Sequence, residues 1–232
     1  MKQKILVLIF LILNSFSVLA GEKDLYDFLW LDPDKSVYVL QNKIYEKDKS
    51  FYLDIGYVTS TTSTFQDTAG GQLKAGYYFA EEWAIEFNLI QYTNSDNAAF
   101  ENVKIINDAE PFVRRPSRST SVFLVWSPFY GKINTFNQIF YFDWSFGVGT
   151  GQYTMESSLD GNIANPTAKN VYETESYTPI QLKTAFKFHI NRSLHIGVEY
   201  LNTNFEATTP KNPESKKWTN NNDLIFSVGV SF

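Results

Sequence analysis

The chain of 232 residues has no cysteine. That excludes disulfides, thiol nucleophiles, a lipidated N-terminal cysteine and thiolate-held metal in one step. Histidine is nearly as scarce: His189 and His195 are the whole supply, which leaves little for imidazole chemistry. Long apolar runs are missing too. Beyond residue 20 nothing approaches the roughly 18 consecutive apolar residues of a membrane helix, so a mature chain that crosses a bilayer must do so as a closed barrel of strands. Positive charge is also in deficit, with 20 Lys and Arg against 25 Asp and Glu. Nucleic acid is therefore not an expected partner, and no pattern in the chain calls for a cofactor or a metal.

The amino end explains one apolar stretch. Lys2 and Lys4 precede the run 5–13, and Val18-Leu19-Ala20 offers small residues at the positions before a cut. This reads as a secretory signal peptide over 1–20, with an apolar run too short to span a membrane. Its removal leaves 18 basic residues and a formal charge of −7. Residues 21–50 are mixed in character and are expected to form a periplasmic arm, with the barrel proper over 51–232 as a single domain.

Aromatic residues, by contrast, are plentiful: 17% of the chain, with 14 Tyr and 20 Phe. They fall into a period of two, the spacing of a strand with unlike faces. The last stretch is the clearest case. Leu224, Phe226, Val228, Val230 and Phe232 share one face, opposite Asp223, Ser227, Gly229 and Ser231, with Ile225 as the exception. This stretch resembles the final strand of the bacterial outer-membrane β-barrels, and the resemblance implies that the five apolar residues act as a signal to the barrel assembly machinery.

Seven further stretches alternate in the same way. Phe51, Leu53, Ile55 and Tyr57 share a face; so do Leu73, Ala75, Tyr77 and Phe79; and so do Trp83, Ile85, Phe87 and Leu89. In 120–126 both faces are apolar and the phase is open. Phe140, Phe142, Trp144, Phe146 and Val148 form the most apolar face. Ile180 to Ile190 and Leu194 to Tyr200 complete the set. The expected fold is all-β: an eight-stranded antiparallel up-and-down transmembrane β-barrel. Short links at 80–82 and 191–193 suit periplasmic turns, as does a longer one at 128–137. The polar stretches 93–118, 152–175 and 204–221 suit extracellular loops, which puts both termini in the periplasm. Tyr57, Tyr92 and Tyr200 are expected in the outer aromatic girdle, and Phe79, Trp83, Trp126 and Phe232 in the inner one.

The run Trp126-Ser127-Pro128-Phe129-Tyr130-Gly131-Lys132-Ile133-Asn134 is similar to a motif of a large outer-membrane barrel family of predatory and fruiting, myxobacteria-like bacteria. Asp32-Pro33-Asp34-Lys35 and the stretch from Glu110 to Pro116 are similar to that family as well. The resemblance covers nearly all of the mature chain and implies a fold and a place in the outer membrane, but no activity.

The inward phases carry the chemistry. Asp54, Glu86, Asp143 and Glu199 share them with Lys74, Lys183 and Lys187, so an internally paired lumen is expected, a plug rather than a pore. Gly56, Gly76, Gly147, Gly149, Gly197 and Gly229 occupy the same phases, where a narrow barrel needs small residues. The histidines fall near the periplasmic rim, satisfied by Glu199 or backbone. Gly147-Val148-Gly149-Thr150-Gly151 sits inside a strand, which excludes a phosphate loop. Arg114, Arg115 and Arg118 are candidates to hold lipopolysaccharide phosphates, or to pair with Glu110. The expected role is non-catalytic, structural or surface-binding through the loops. A carrier of small apolar molecules and a lipid-modifying enzyme are the alternatives.

Overall fold

The computed structural model describes residues 44–135, 138–159, 170–209 and 212–232. The expected signal peptide and most of the arm at 21–50 lie outside the described residues. Among those described are nine strands and one helix: β1 (Phe51–Ser60), β2 (Gln66–Ala80), β3 (Trp83–Asp96), α1 (Ala98–Asn107), β4 (Arg114–Thr135), β5 (Gln138–Ser157), β6 (Glu173–Tyr177), β7 (Ile180–His189), β8 (Leu194–Thr209) and β9 (Asn212–Ser231).

The strands pair antiparallel in chain order, and β9 returns to β1 from Tyr52↔Ser231 to Ser60↔Asp223. Eight strands thus form a closed ring, and β6 extends it by pairing with β5 alone, ahead of Pro179. Closure leaves no free sheet edge at the depth of the ring, the condition for crossing lipid with strands. No helix among the described residues is long and apolar enough to cross.

Alternation decides the two faces. Ile55 is 73% exposed and Val228 55%, while Asp54 between β1's apolar residues is 1% exposed. Apolar side chains face out and charged ones in, the inverse of a soluble protein. The open phase of 120–126 is settled with Val122, Leu124 and Trp126 outward and Phe123 and Val125 inward. Both faces are apolar there because Phe123 fills lumen space: a Cβ on Gly149, its cross-strand neighbour, would overlap its ring.

Three sequence expectations change. The link at 128–137 is mostly strand, since β4 and β5 pair from Phe129↔Trp144 to Thr135↔Gln138, with an irregularity at Trp126/Phe129 around Pro128. Proline lacks the amide that a regular ladder needs. The described residues of the far polar stretches are also largely strand or helix: strands run on past the apolar belt, and 93–118 holds the end of β3, then α1, then the start of β4. Asn97 caps α1 by accepting from Ala99 N and Phe100 N. Tyr92, finally, is 5% exposed and points inward, so it leaves the outer girdle, whereas Tyr57 and Tyr200 are exposed on the outer face of the barrel. At the opposite end Phe79, Trp83, Trp126 and Phe232 are all exposed, and the Trp83 and Trp126 rings stack at 6.1 Å.

Candidate functional site

The end carrying Phe51 and Phe232 is the near end, and the lumen is filled in layers from there. Residues 44–50 approach the near mouth. The backbone amides of Lys47 and Asp48 both donate to Glu81 Oε2 at 3.0 Å. This fixes Lys47, whose Nζ meets Asp143 Oδ1 at 2.7 Å, while His189 Nε2 lies 2.7 Å from Asp143 Oδ2. Tyr45 stacks on the His189 ring at 4.9 Å.

One layer deeper, Asp54 receives His195 Nε2 at 2.7 Å and Lys74 Nζ at 3.0 Å. Lys74 also reaches Glu199 at 3.2 Å, Lys183 joins the same Glu199 oxygen at 3.2 Å, and Lys183 bonds Glu86. Tyr52 OH donates to Glu86 at 2.7 Å. Strand parity brings these residues inside, and ring closure brings them together, since Glu199 is on β8 and its lysines are on β2 and β7. Six of the seven expected network residues join carboxylate–ammonium pairs. Lys187 does not: among the described residues no carboxylate lies within ion-pair distance, and its Nζ sits over the Tyr52 ring at 3.7 Å. Sequence reasoning missed Lys47, which precedes the first regular strand. With it the paired network holds four carboxylates, Asp54, Glu86, Asp143 and Glu199, and three lysines, Lys47, Lys74 and Lys183, so that each of these buried carboxylates has a cationic partner. The histidines were expected to meet Glu199 or backbone; their partners are Asp143 and Asp54. Gly229 makes room for the second pair, because a Cβ there would collide with Asp54 and His195.

Ser231 Oγ lies 3.2 Å from His195 Nδ1, which completes a Ser–His–Asp line. Its surroundings do not suit acyl transfer. His195 is 1% exposed, Asp54 is already neutralised by Lys74, and the Ser231 amide donates to Ser193 O at 2.6 Å. That amide is therefore engaged and does not serve as an oxyanion donor. Among the described residues no group of three or more acidic or imidazole side chains converges for a metal.

Above the charged layer the filling is mixed, with Gln72, Gln181, Thr203 and Asp223 buried among apolar side chains. Val58, Ile90, Leu201 and Ile225 are fully buried, and Tyr153 and Phe205 pack ring to ring at 5.4 Å. Tyr92 OH donates to Asp223 at 2.7 Å within this layer. Packed side chains, apolar and polar, thus fill the lumen beyond the charged layer, and Ile225, the exception in the terminal strand, is one of them. Beyond lies a cavity of about 330 Å³ at the far mouth, with Phe112, Met155 and Phe205 among its walls.

The three arginines separate. Arg114 Nε pairs with Glu175 at 2.9 Å and its Nη2 donates to Thr208 O at 3.0 Å, tying β6 to β8. Arg115 pairs with Glu156 at 2.8 Å and lies over the Tyr172 ring at 4.0 Å. Glu110, the alternative partner, is taken by Lys104 at 3.0 Å and by the amide of Asn170 at 2.6 Å. Arg118 is exposed, with no carboxylate within ion-pair distance among the described residues.

No protein-family model matches the chain, and a search of curated proteins finds no significant relative. Solved structures similar in fold include the N-terminal β-barrel domain of Pseudomonas aeruginosa OprF (10% identity, TM-score 0.45, covering 80% of this chain and 98% of that one). The attachment invasion locus protein Ail of Yersinia pestis is similar at 14% identity and TM-score 0.39, covering 80% of this chain and 99% of that one. Outer Membrane Protein W of E. coli is similar at 12% identity and TM-score 0.40, with the same two coverages.

Proposed function

We propose that the protein is a non-catalytic integral outer-membrane barrel that works through its far end, as a surface-interaction or structural element, with its termini in the periplasm. The observation that carries this reading is the sealed lumen. Eight paired strands present an apolar exterior to lipid, while the interior is filled by a network of paired charges and by packed polar and apolar side chains above it. A barrel filled in this way offers no aqueous path. The working surface is then what projects beyond the belt: the β8–β9 hairpin, α1 and the ends of β5 and β6. Lipid surrounds the belt, and of the three arginines Arg118 is the one free to meet a lipopolysaccharide phosphate.

The purified protein in planar bilayers is expected to give no defined conductance at neutral pH. Steady single-channel steps would remove the reading.

The far cavity and its apolar walls favour a second reading, a carrier of small apolar molecules. Against it, the β1–β9 seam is regular from Tyr52 to Ser60, so the gap beside the cavity does not continue down that seam.

A further inference from the structure

At the far end β1 stops at Ser60 while β9 runs on. The last contact between them is at Asn222, whose carbonyl accepts from Thr61 N at 2.8 Å and whose amide donates to Thr62 Oγ1 at 2.8 Å. Backbone groups of a strand point alternately to its two neighbours. Those of Asn220, Trp218 and Lys216 therefore point the same way as those of Asn222, away from β8. Among the described residues no backbone group bonds them on that side. The cavity of about 330 Å³ lies where β1 would have continued, between residues 62–65 on one wall and Thr219, Asn220 and Asn221 on the other. Phe112, Met155 and Phe205 line it as well.

We propose that this edge of β9 is a binding site for an extended acidic peptide segment, which adds as a strand beside Lys216, Trp218 and Asn220 and places alternate apolar side chains in the cavity. A free strand edge supplies main-chain affinity, and a pocket for every second side chain supplies selectivity. Charge selects the occupant. Lys216 and Lys217 are exposed, with no carboxylate within ion-pair distance among the described residues, although Glu206 is opposite Trp218 in the ladder. A second copy of the same edge would bring these lysines near their own counterparts, and like charges across strands repel. The inference rests on the reading of the far end as the working surface, and it names that surface's ligand.

The test uses isotope-labelled full-length protein in lipid nanodiscs, with a synthetic peptide of about ten residues alternating valine and glutamate as the probe. Amide exchange at Lys216, Trp218 and Asn220 is expected to be fast without peptide and slowed about tenfold with it, while Thr219 and Asn221, which face β8, do not change. Asn220→Pro removes one edge donor without touching the β8 ladder. It is expected to weaken peptide binding about tenfold while the barrel still folds, as judged by heat-dependent gel mobility. The pair K216E and K217E should move the preference to a peptide with lysine in place of glutamate, and this keeps the test alive if the proline variant fails to fold. Edge amides already protected without peptide, equal binding of the two peptides to the wild type, or self-association through this edge would each overturn the proposal. Ion conductance would remove the proposed function and leave the edge result standing; an unresponsive edge on a sealed barrel would remove only the peptide site.

Discussion

The two ends of this barrel are built by different rules. In the lower part every ring strand has a neighbour on both sides, and the lumen is packed with pairs of opposite charge. At the far end β9 loses β1, β6 pairs only with β5, and a cavity opens among the side chains. Lipid forces the first arrangement, because an unpaired amide or carbonyl at membrane depth costs several kcal/mol, roughly the full desolvation of the group. Water relaxes the demand, since a free edge there can be solvated. Rigidity is thus concentrated where the bilayer requires it, and adaptable surface where a partner can reach.

The comparison breaks most easily at Glu199. It holds Lys74 and Lys183 at once, and both lysines are buried with it. Glu199→Ala leaves an excess of buried positive charge and is expected to cost about 3–5 kcal/mol, read as a lower urea midpoint for unfolding from lipid vesicles. A wild-type midpoint would mean that the lower lumen is not held by its charges.

Arg114 should matter less. It ties β6 to β8 across a gap that no ladder closes, through Glu175 and Thr208 O, in a partly exposed setting. Arg114→Ala is expected to cost about 1 kcal/mol and to speed amide exchange in β6 without affecting β1 or β9 at belt depth. A loss as large as that at Glu199 would show that the far end is as tightly coupled as the rest.

The same contrast explains what the sequence revealed. Where lipid lies outside, Leu53, Ile55, Phe87 and Val228 must alternate with Asp54, Glu86 and Gly229, so strand phase could be read residue by residue. Past the belt the outer face meets water and no longer has to be apolar. Stretches such as Thr93-Asn94-Ser95 and Thr219-Asn220-Asn221 lose the apolar alternation and read as loops, although they are strands. Parity showed that His189 and His195 point inward, but not which carboxylates they meet, because partners across the lumen depend on how the sheet staggers as it closes. Tyr92 misled for a related reason. A tyrosine near the end of an apolar strand suits a girdle, but its inward phase outweighs its composition, and Asp223 supplies a partner for the hydroxyl.

The smallest effect is expected at Lys104, on α1. Its Nζ lies 3.0 Å from Glu110, and the hydrogen bond to that carboxylate raises the lysine's pKa above its ordinary value. A lysine whose pKa is raised on folding stabilises the fold wherever it is charged and loses that contribution only as pH climbs through the raised value. The pair's contribution is therefore constant across neutral pH. The ammonium is open to solvent, where salt and side-chain entropy offset most of the attraction. Lys104→Met is accordingly expected to leave the unfolding midpoint at neutral pH within error of wild type. A drop as large as that of Arg114→Ala would mean that surface charge, rather than the β6–β8 tie, holds the far end together, and the contrast between the two ends would have to be redrawn around α1.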